Sequence, residues 1–232
     1  MCQHLQAGAA DGQRLKSLRK PIKQLARALG VVRALDVSAS LLTALADACD
    51  LAALTTPLVR HLRSQRRRHA KQLAQVVQRD DIVAALDRLK TACVDVDAVD
   101  WSSAIDRGAQ TMEECLQRCG SREGSVKDDL HRLRIATKRL RYVLEIAGGD
   151  ASSSRDSRIA SLRQLQEVLG GLHDNEVARR EVAAFLRDRG SLLTAAQTQA
   201  IRRLARAAAE RERALRHDAM HFVRAMSDTI DV

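Results

Sequence analysis

Apolar residues recur every three or four positions along almost the whole chain. That is the spacing of one face of an α-helix, and no stretch shows the strict alternation of a half-buried strand. Over residues 13–29, Leu15, Leu18, Ile22, Leu25 and Leu29 share one face, and Lys16, Lys20, Lys23 and Arg27 form a narrow stripe opposite. Pro21 falls inside this pattern, so it either kinks the helix or marks its start, and Gly30 is the expected stop. Further helices are expected over residues 35–49 and 57–78, the latter with Pro57 in its first turn. It carries Arg60, Arg63, Arg67 and Lys71 on one side and Val59, Leu62, Leu73 and Val76 on the other. A short helix over 82–92 follows. The acidic, broken stretch 94–100 reads as a linker between a first half, 1–93, and a second half, 101–232.

The second half predicts helices over 102–118 and 125–147, a loop over 148–154, and helices over 158–169, 175–189 and 194–226. The last carries a basic line of Arg202, Arg206, Arg213 and Arg224. The most informative segment is 131–145, HRLRIATKRLRYVLE. At about 100° per residue, His131, Arg134, Lys138, Arg141 and Tyr142 project from one side, and Leu130, Leu133, Leu140 and Leu144 line the other. A solvated face usually mixes signs so that charges pair. Here cations collect, with Glu145 the nearby acid at the far end. Crowded like charges cost stability, which points to a polyanionic partner, against the plainer reading of a basic solvated face.

An internal repeat joins the halves. Leu29-Gly30-Val31-Val32-Arg33-Ala34-Leu35-Asp36-Val37 aligns with Leu169-Gly170-Gly171-Leu172-His173-Asp174-Asn175-Glu176-Val177 at an offset of 140, which also pairs Leu25 with Leu165 and Lys23 with Arg163. Each copy reads as helix, glycine turn and acidic helix start. The fold expected is therefore all-α: two antiparallel helical bundles related by a pseudo-two-fold internal repeat, within one domain spanning 1–232.

Charge strengthens the polyanion reading. Lys and Arg number 39 against 29 Asp and Glu, a formal net charge of +10. Nucleic acid, an acidic membrane surface and inorganic phosphate chains all fit that excess. The aromatic set is only Trp101, Tyr142, Phe185 and Phe222, too few to stack a series of bases, so phosphate contacts are favoured over base contacts. The five cysteines form no CxxC pair and read as reduced thiols in a reducing compartment. No apolar run reaches membrane-span length and no secretory signal pattern opens the chain, so the expected location is the cytoplasm.

The segments His131-x-x-Arg134-x-x-x-Lys138-x-x-Arg141-Tyr142 and Leu165-Gln166-x-x-Leu169-Gly170-x-Leu172-His173-Asp174-x-x-Val177 resemble the conserved histidine α-helical domain (CHAD) family. The stretch from Leu29 to Val37 resembles the matching part of that family's first half. The resemblance implies two pseudo-symmetric helical bundles with basic helices facing a central cavity. It also implies binding of inorganic polyphosphate, often at polyphosphate granules. Two departures stand out. His131 precedes His173 by 42 positions, and the same step back from Arg33 falls before Met1, so the first basic helix of the first half is missing. His4 cannot replace it, because Gly8 and Gly12 follow too closely for a continuous helix. Ala34 also stands where an aspartate is expected. The first half should then expose an apolar flank. An upstream start, a partner protomer covering the gap, or a reduced binding face would each account for this.

The candidate polyphosphate-binding residues are His131, Arg134, Lys138, Arg141 and Tyr142, with Lys16, Lys20, Lys23, Arg27 and Arg33, with Arg60, Arg67 and Lys71, and with Arg202, Arg206 and Arg213. Cations on successive turns, about 5.4 Å apart, let one flexible anion chain touch many of them. His131 reads either as a phosphate donor or as a buried hydrogen-bonding residue. His173 joins the set through the motif, although its expected place at a helix start, beside Asp174, favours capping or pairing. His217-Asp218-Ala219-Met220-His221 resembles the zinc motif HExxH but has Asp for Glu and no third ligand, so no metal site is expected. No phosphate loop or catalytic grouping is evident, and the protein is expected to be neither an enzyme nor cofactor-dependent. The partners expected are inorganic polyphosphate and granule-associated proteins, with a nucleic-acid backbone as the alternative, no membrane, and a second copy to complete the first half.

Overall fold

The computed structural model describes residues 2–91, 100–120, 126–147 and 153–230, and the side chains of 18–88, 100–120, 127–147 and 155–226. Among the described residues no strand occurs, so the chain is all-α. The helices are α1 (Cys2–Ala48), α2 (Ala52–Val77), α3 (Asp80–Thr91), α4 (Trp101–Gly120), α5 (Val126–Ile146), α6 (Ser153–Arg189) and α7 (Ala195–Ile230), with a short 3₁₀ segment, Gly190–Leu192, between the last two. They form two compact units. One comprises Met1–Asp97 and Phe185–Ile201, the other Ala98–Ala184 and Arg202–Val232. The expected linker lies outside the described residues except for Asp100, and most of the expected 148–154 loop does too.

Two expected interruptions are absent. Gly30 does not stop α1, and α6 runs unbroken through Gly170 and Gly171, so the helices expected over 158–169 and 175–189 are one. None of these glycines adopts the left-handed backbone that a glycine stop requires. In α1 the buried positions Leu18, Val32, Leu35, Leu42 and Ala46 continue one stripe across Gly30. Burying that stripe outweighs the cost of about 1 kcal/mol for a mid-helix glycine. Pro21, Gly8 and Gly12 likewise lie inside α1, which corrects the expectation that Gly8 and Gly12 forbid a continuous helix. Pro57 is also inside its helix rather than in the first turn, since α2 begins at Ala52.

The real stop of α1 is Asp50. Its φ of +55° is the left-handed conformation, which Asp tolerates better than most residues. The Leu51 N–H then donates to the Ala46 carbonyl at 2.8 Å and the Asp50 N–H to the Asp47 carbonyl at 3.1 Å. This is the paired-bond C-cap in which an apolar residue follows the left-handed one; here Leu51 is buried. The chain reverses, and α2 packs on α1 through Leu58 and Leu62, with Ile82 and Ala85 of α3 completing that core. The Phe185 ring sits 5.1 Å from His61.

In the other unit, Met112 and Leu116 of α4, Leu133 and Leu140 of α5, Leu162, Leu165 and Leu169 of α6, and Ala219 and Val223 of α7 form one core. Gly108 lets α4 approach α5 closely: a Cβ there would lie 3.1 Å from Leu140 Cδ1. Asp100 caps α4, accepting the Ser103 N–H at 3.0 Å. Its bonds from Ser103 hold the Asp100 carboxyl below the usual carboxylate range. Thr194 and Gln197 start α7 with reciprocal bonds of 3.2 and 3.0 Å, a capping box. Cys115 and Cys119 are buried, and burial pushes the Cys119 thiol up to about 12.

An 18-residue window within Leu18–Ala48 is, by length and composition alone, apolar enough to cross a membrane, with mean hydropathy 1.6. This corrects the expectation of no such run: over residues 28–46 only Arg33 and Asp36 are charged. The expected apolar flank is present there, with Leu29 49% and Val31 42% exposed.

Gly30 is helical, and a Cβ added to it would meet nothing within 4 Å. Gly30→Ala should therefore raise stability by about 0.5–1 kcal/mol. Thermal melts check this. A fall in Tm would mean that Gly30 makes a turn.

Candidate anion-binding site

Helix α5 begins with Asp128 and Asp129, whose charges suit the positive end of the helix dipole. Asp129 is buried and pairs with Arg118 at 3.4 Å and Arg132 at 3.5 Å. The leucine face of α5, Leu130, Leu133, Leu140 and Leu144, is buried in the core as expected. Beside that face, His131 and Arg134 border α6, which runs antiparallel. Three links define that pairing: Lys127 Nζ lies 3.4 Å from Glu176 Oε2, the His131 and His173 rings lie 5.8 Å apart, and Arg163 of α6 reaches Glu145 of α5 at 3.0 Å.

Between the two helices lies a cavity of about 240 Å³. Lys127, His131 and Arg134 of α5 and His173, Glu176 and Arg180 of α6 form its walls, with Leu130, Leu169 and Leu172 at the apolar base. Arg134 is half-buried. Its Nε is fully buried and has no hydrogen-bond partner among the described residues. A desolvated guanidinium donor left unpaired costs free energy.

His173 stands in the interior of α6, so it caps no helix. Burial above all, and then the positive charge of Arg134 and the neighbouring His131, push its pKa below the ordinary histidine value; Asp174 and Glu176 pull the other way. The imidazole is therefore neutral at neutral pH.

Farther along α5, Arg141 NH1 donates to Glu145 Oε1 at 2.8 Å, and Arg163 shares that oxygen. The Arg141 guanidinium lies 4.6 Å and Lys138 Nζ 5.6 Å from the Tyr142 ring centroid. Tyr142 thus holds both cations by its ring face. Behind the cavity, buried Glu176 also meets Arg180 at 3.4 Å and Arg216 at 3.7 Å, and buried Glu212 meets Arg179 and Arg216, each at 2.7 Å. Asn175 Nδ2 donates to the Ala208 carbonyl at 2.7 Å. These bonds tie α5, α6 and α7 into a rigid wall.

The remaining candidates lie elsewhere. Arg60 and Arg67, joined by Arg63, line a groove of about 530 Å³ on the first unit, facing Asp47 and Thr43 of α1. Lys71 is exposed farther along α2, and Lys20, Lys23, Arg27 and Arg33 are exposed on α1. The Lys16 side chain is outside the described residues. Arg202, Arg206 and Arg213 are exposed on α7 and do not line the α5–α6 cavity. His217 and His221 are exposed, and no group of three metal-ligating side chains occurs among the described residues.

Lys127, Glu176 and Arg180 join the site without having been among its expected residues. Lys127 sits four residues before His131, hence on its face, and was open to inference. Glu176 and Arg180 were hidden by the turn expected at Gly170, because only an unbroken α6 carries them to the face that His173 shares.

The sequence model of the CHAD domain family matches residues 3–183. This chain belongs to the CHAD family. The matched span runs from the start of α1 almost to the end of α6, and so contains both walls of the cavity. The CHAD family is associated in general terms with polyphosphate and triphosphate binding. The chain matches no curated protein and no solved structure.

Proposed function

We propose that this CHAD protein binds inorganic polyphosphate in the cavity between α5 and α6. The observation that carries the reading is the cluster of Lys127, His131, Arg134 and Arg180 around one small cavity, with the Arg134 Nε buried and without a hydrogen-bond partner among the described residues. Lys138 and Arg141 extend the cationic track along α5, about one helical turn per step. The cavity base is aliphatic and its walls carry no Trp, Tyr or Phe, which favours phosphate oxygens over stacked bases. Its buried carboxylate, Glu176, is engaged by cations, which supports a binding role over catalysis. In this reading the protein is a non-enzymatic, cofactor-free accessory or granule-targeting module of the cytoplasm, with granule proteins as further partners. A second copy would cover Leu29 and Val31.

Titration of the protein with labelled long-chain polyphosphate against duplex DNA, at near-physiological salt, tests the reading. Binding that DNA cannot displace, and that weakens steeply with added salt through counterion release, is the expected result. Equal displacement by DNA would favour a generic backbone-binding surface, and no binding would end the proposal.

A further inference from the structure

We propose that polyphosphate binding to this cavity is proton-linked through the His173 imidazole, which faces the His131 ring there, so that the site takes up protons as the polyanion enters and tightens as pH falls. This inference rests on the polyphosphate reading above and deepens it.

The fixed cations of the cavity are Lys127 and Arg134 from α5 and Arg180 from α6. Asp128 of α5 and Glu176 of α6 also line it, and Asp174 acts on His173 from its own helix. From α7, Arg216 approaches through Glu176 but is shared with Glu212. Three cations thus stand against three carboxylates near the imidazoles, and the permanent charge nearly cancels. A proton on His173 therefore adds positive charge to a cavity whose fixed charges are close to balanced.

The two rings are 5.8 Å apart and tilted by 40°, so both border the same small space. Without a ligand, burial and the Arg134 charge keep His173 neutral at neutral pH. An entering phosphate chain places negative charge beside the rings and favours the cationic form of His173. A group whose pKa is higher in the complex than in the free protein strengthens binding as pH drops. The gain begins as pH falls through the pKa of the complex. It levels off below that of the free protein, which for His173 lies under the ordinary value of 6.5.

Calorimetry on the wild-type chain with long-chain polyphosphate, whose internal phosphoryl groups stay ionised throughout, provides the test. Near neutral pH, in two buffers of different ionisation enthalpy, the heats should report uptake of on the order of one proton, and the affinity should rise about three- to tenfold from about pH 7.5 to about pH 6. The folded His173→Gln variant should lose nearly all of this rise. Binding without proton uptake and with flat affinity overturns the proposal while leaving the polyphosphate reading intact. So does a pH dependence that persists unchanged in folded His173→Gln. No binding at either pH overturns both.

Discussion

Joint replacement of Arg134, Lys138 and Arg141 by alanine should weaken polyphosphate binding at least about a hundredfold while leaving the helical circular dichroism unchanged. A hydrogen bond to a charged group contributes about 1.5–3 kcal/mol, and two full contacts are enough for this loss. The three residues do not contribute equally. Arg134 has a buried donor with no partner among the described residues, so its side chain meets the ligand without first breaking a bond. Arg141 also has a buried Nε without a partner among the described residues, but its NH1 is already held by Glu145, with Arg163 on the same carboxylate oxygen, so part of its gain is offset. Arg134→Ala should therefore account for most of the triple effect, and Arg141→Ala for the least. The helix should persist, because Leu130, Leu133, Leu140 and Leu144 keep the core contacts of α5, although the Arg134 and Arg141 side chains are themselves partly buried. Equilibrium binding across a salt series reads both the affinity and the number of released counterions, which should fall by about one per cation removed. A triple variant within about threefold of wild type, where the charge-assisted bonds above should cost far more, would place the site elsewhere.

Leu169→Ala and Leu29→Ala form the second prediction, because the internal offset pairs these leucines while the fold treats them oppositely. Leu169 is 2% exposed, between α5 and the core of its unit, whereas Leu29 is 49% exposed. Deleting a fully packed leucine removes its transfer free energy and leaves a cavity, so Leu169→Ala should cost about 2–5 kcal/mol. Leu29→Ala should cost under about 0.5 kcal/mol, as an exposed substitution does. Urea titration of each variant measures the difference. If Leu29→Ala proved as costly as its counterpart, Leu29 would be covered in solution, and a dependence of the cost on protein concentration would identify a second copy as the cover.

The asymmetry between those leucines shows how the repeat and the fold diverge. Leu165, Leu169 and Leu172 of α6 meet α4 and α5 in one core. Their counterparts Leu25, Leu29 and Val32 lie on α1, where the described partners are α2 and α3. Similar patterns are thus buried or bare according to which helices pack on them. The length of α1 escapes the local pattern for the same reason. Gly30 and Gly170 look like stops when only their neighbours are weighed, yet helix continuity there is decided by stripes of leucine, valine and alanine that find partners on other helices.

Helix periodicity and the motif residues alone were sufficient for the all-α class, the basic face of α5, its leucine face and the family membership, because these depend on residues three and four apart that any helix brings together. The clustering of cations on one face was legible for the same reason. The cavity was not. His173 reached His131, and Glu176 reached Lys127, only because α6 passes unbroken through two glycines and packs antiparallel on α5. The lowered basicity of His173 and the desolvation of Arg134 Nε are likewise products of packing, since each depends on the water that neighbouring helices exclude rather than on any adjacent residue.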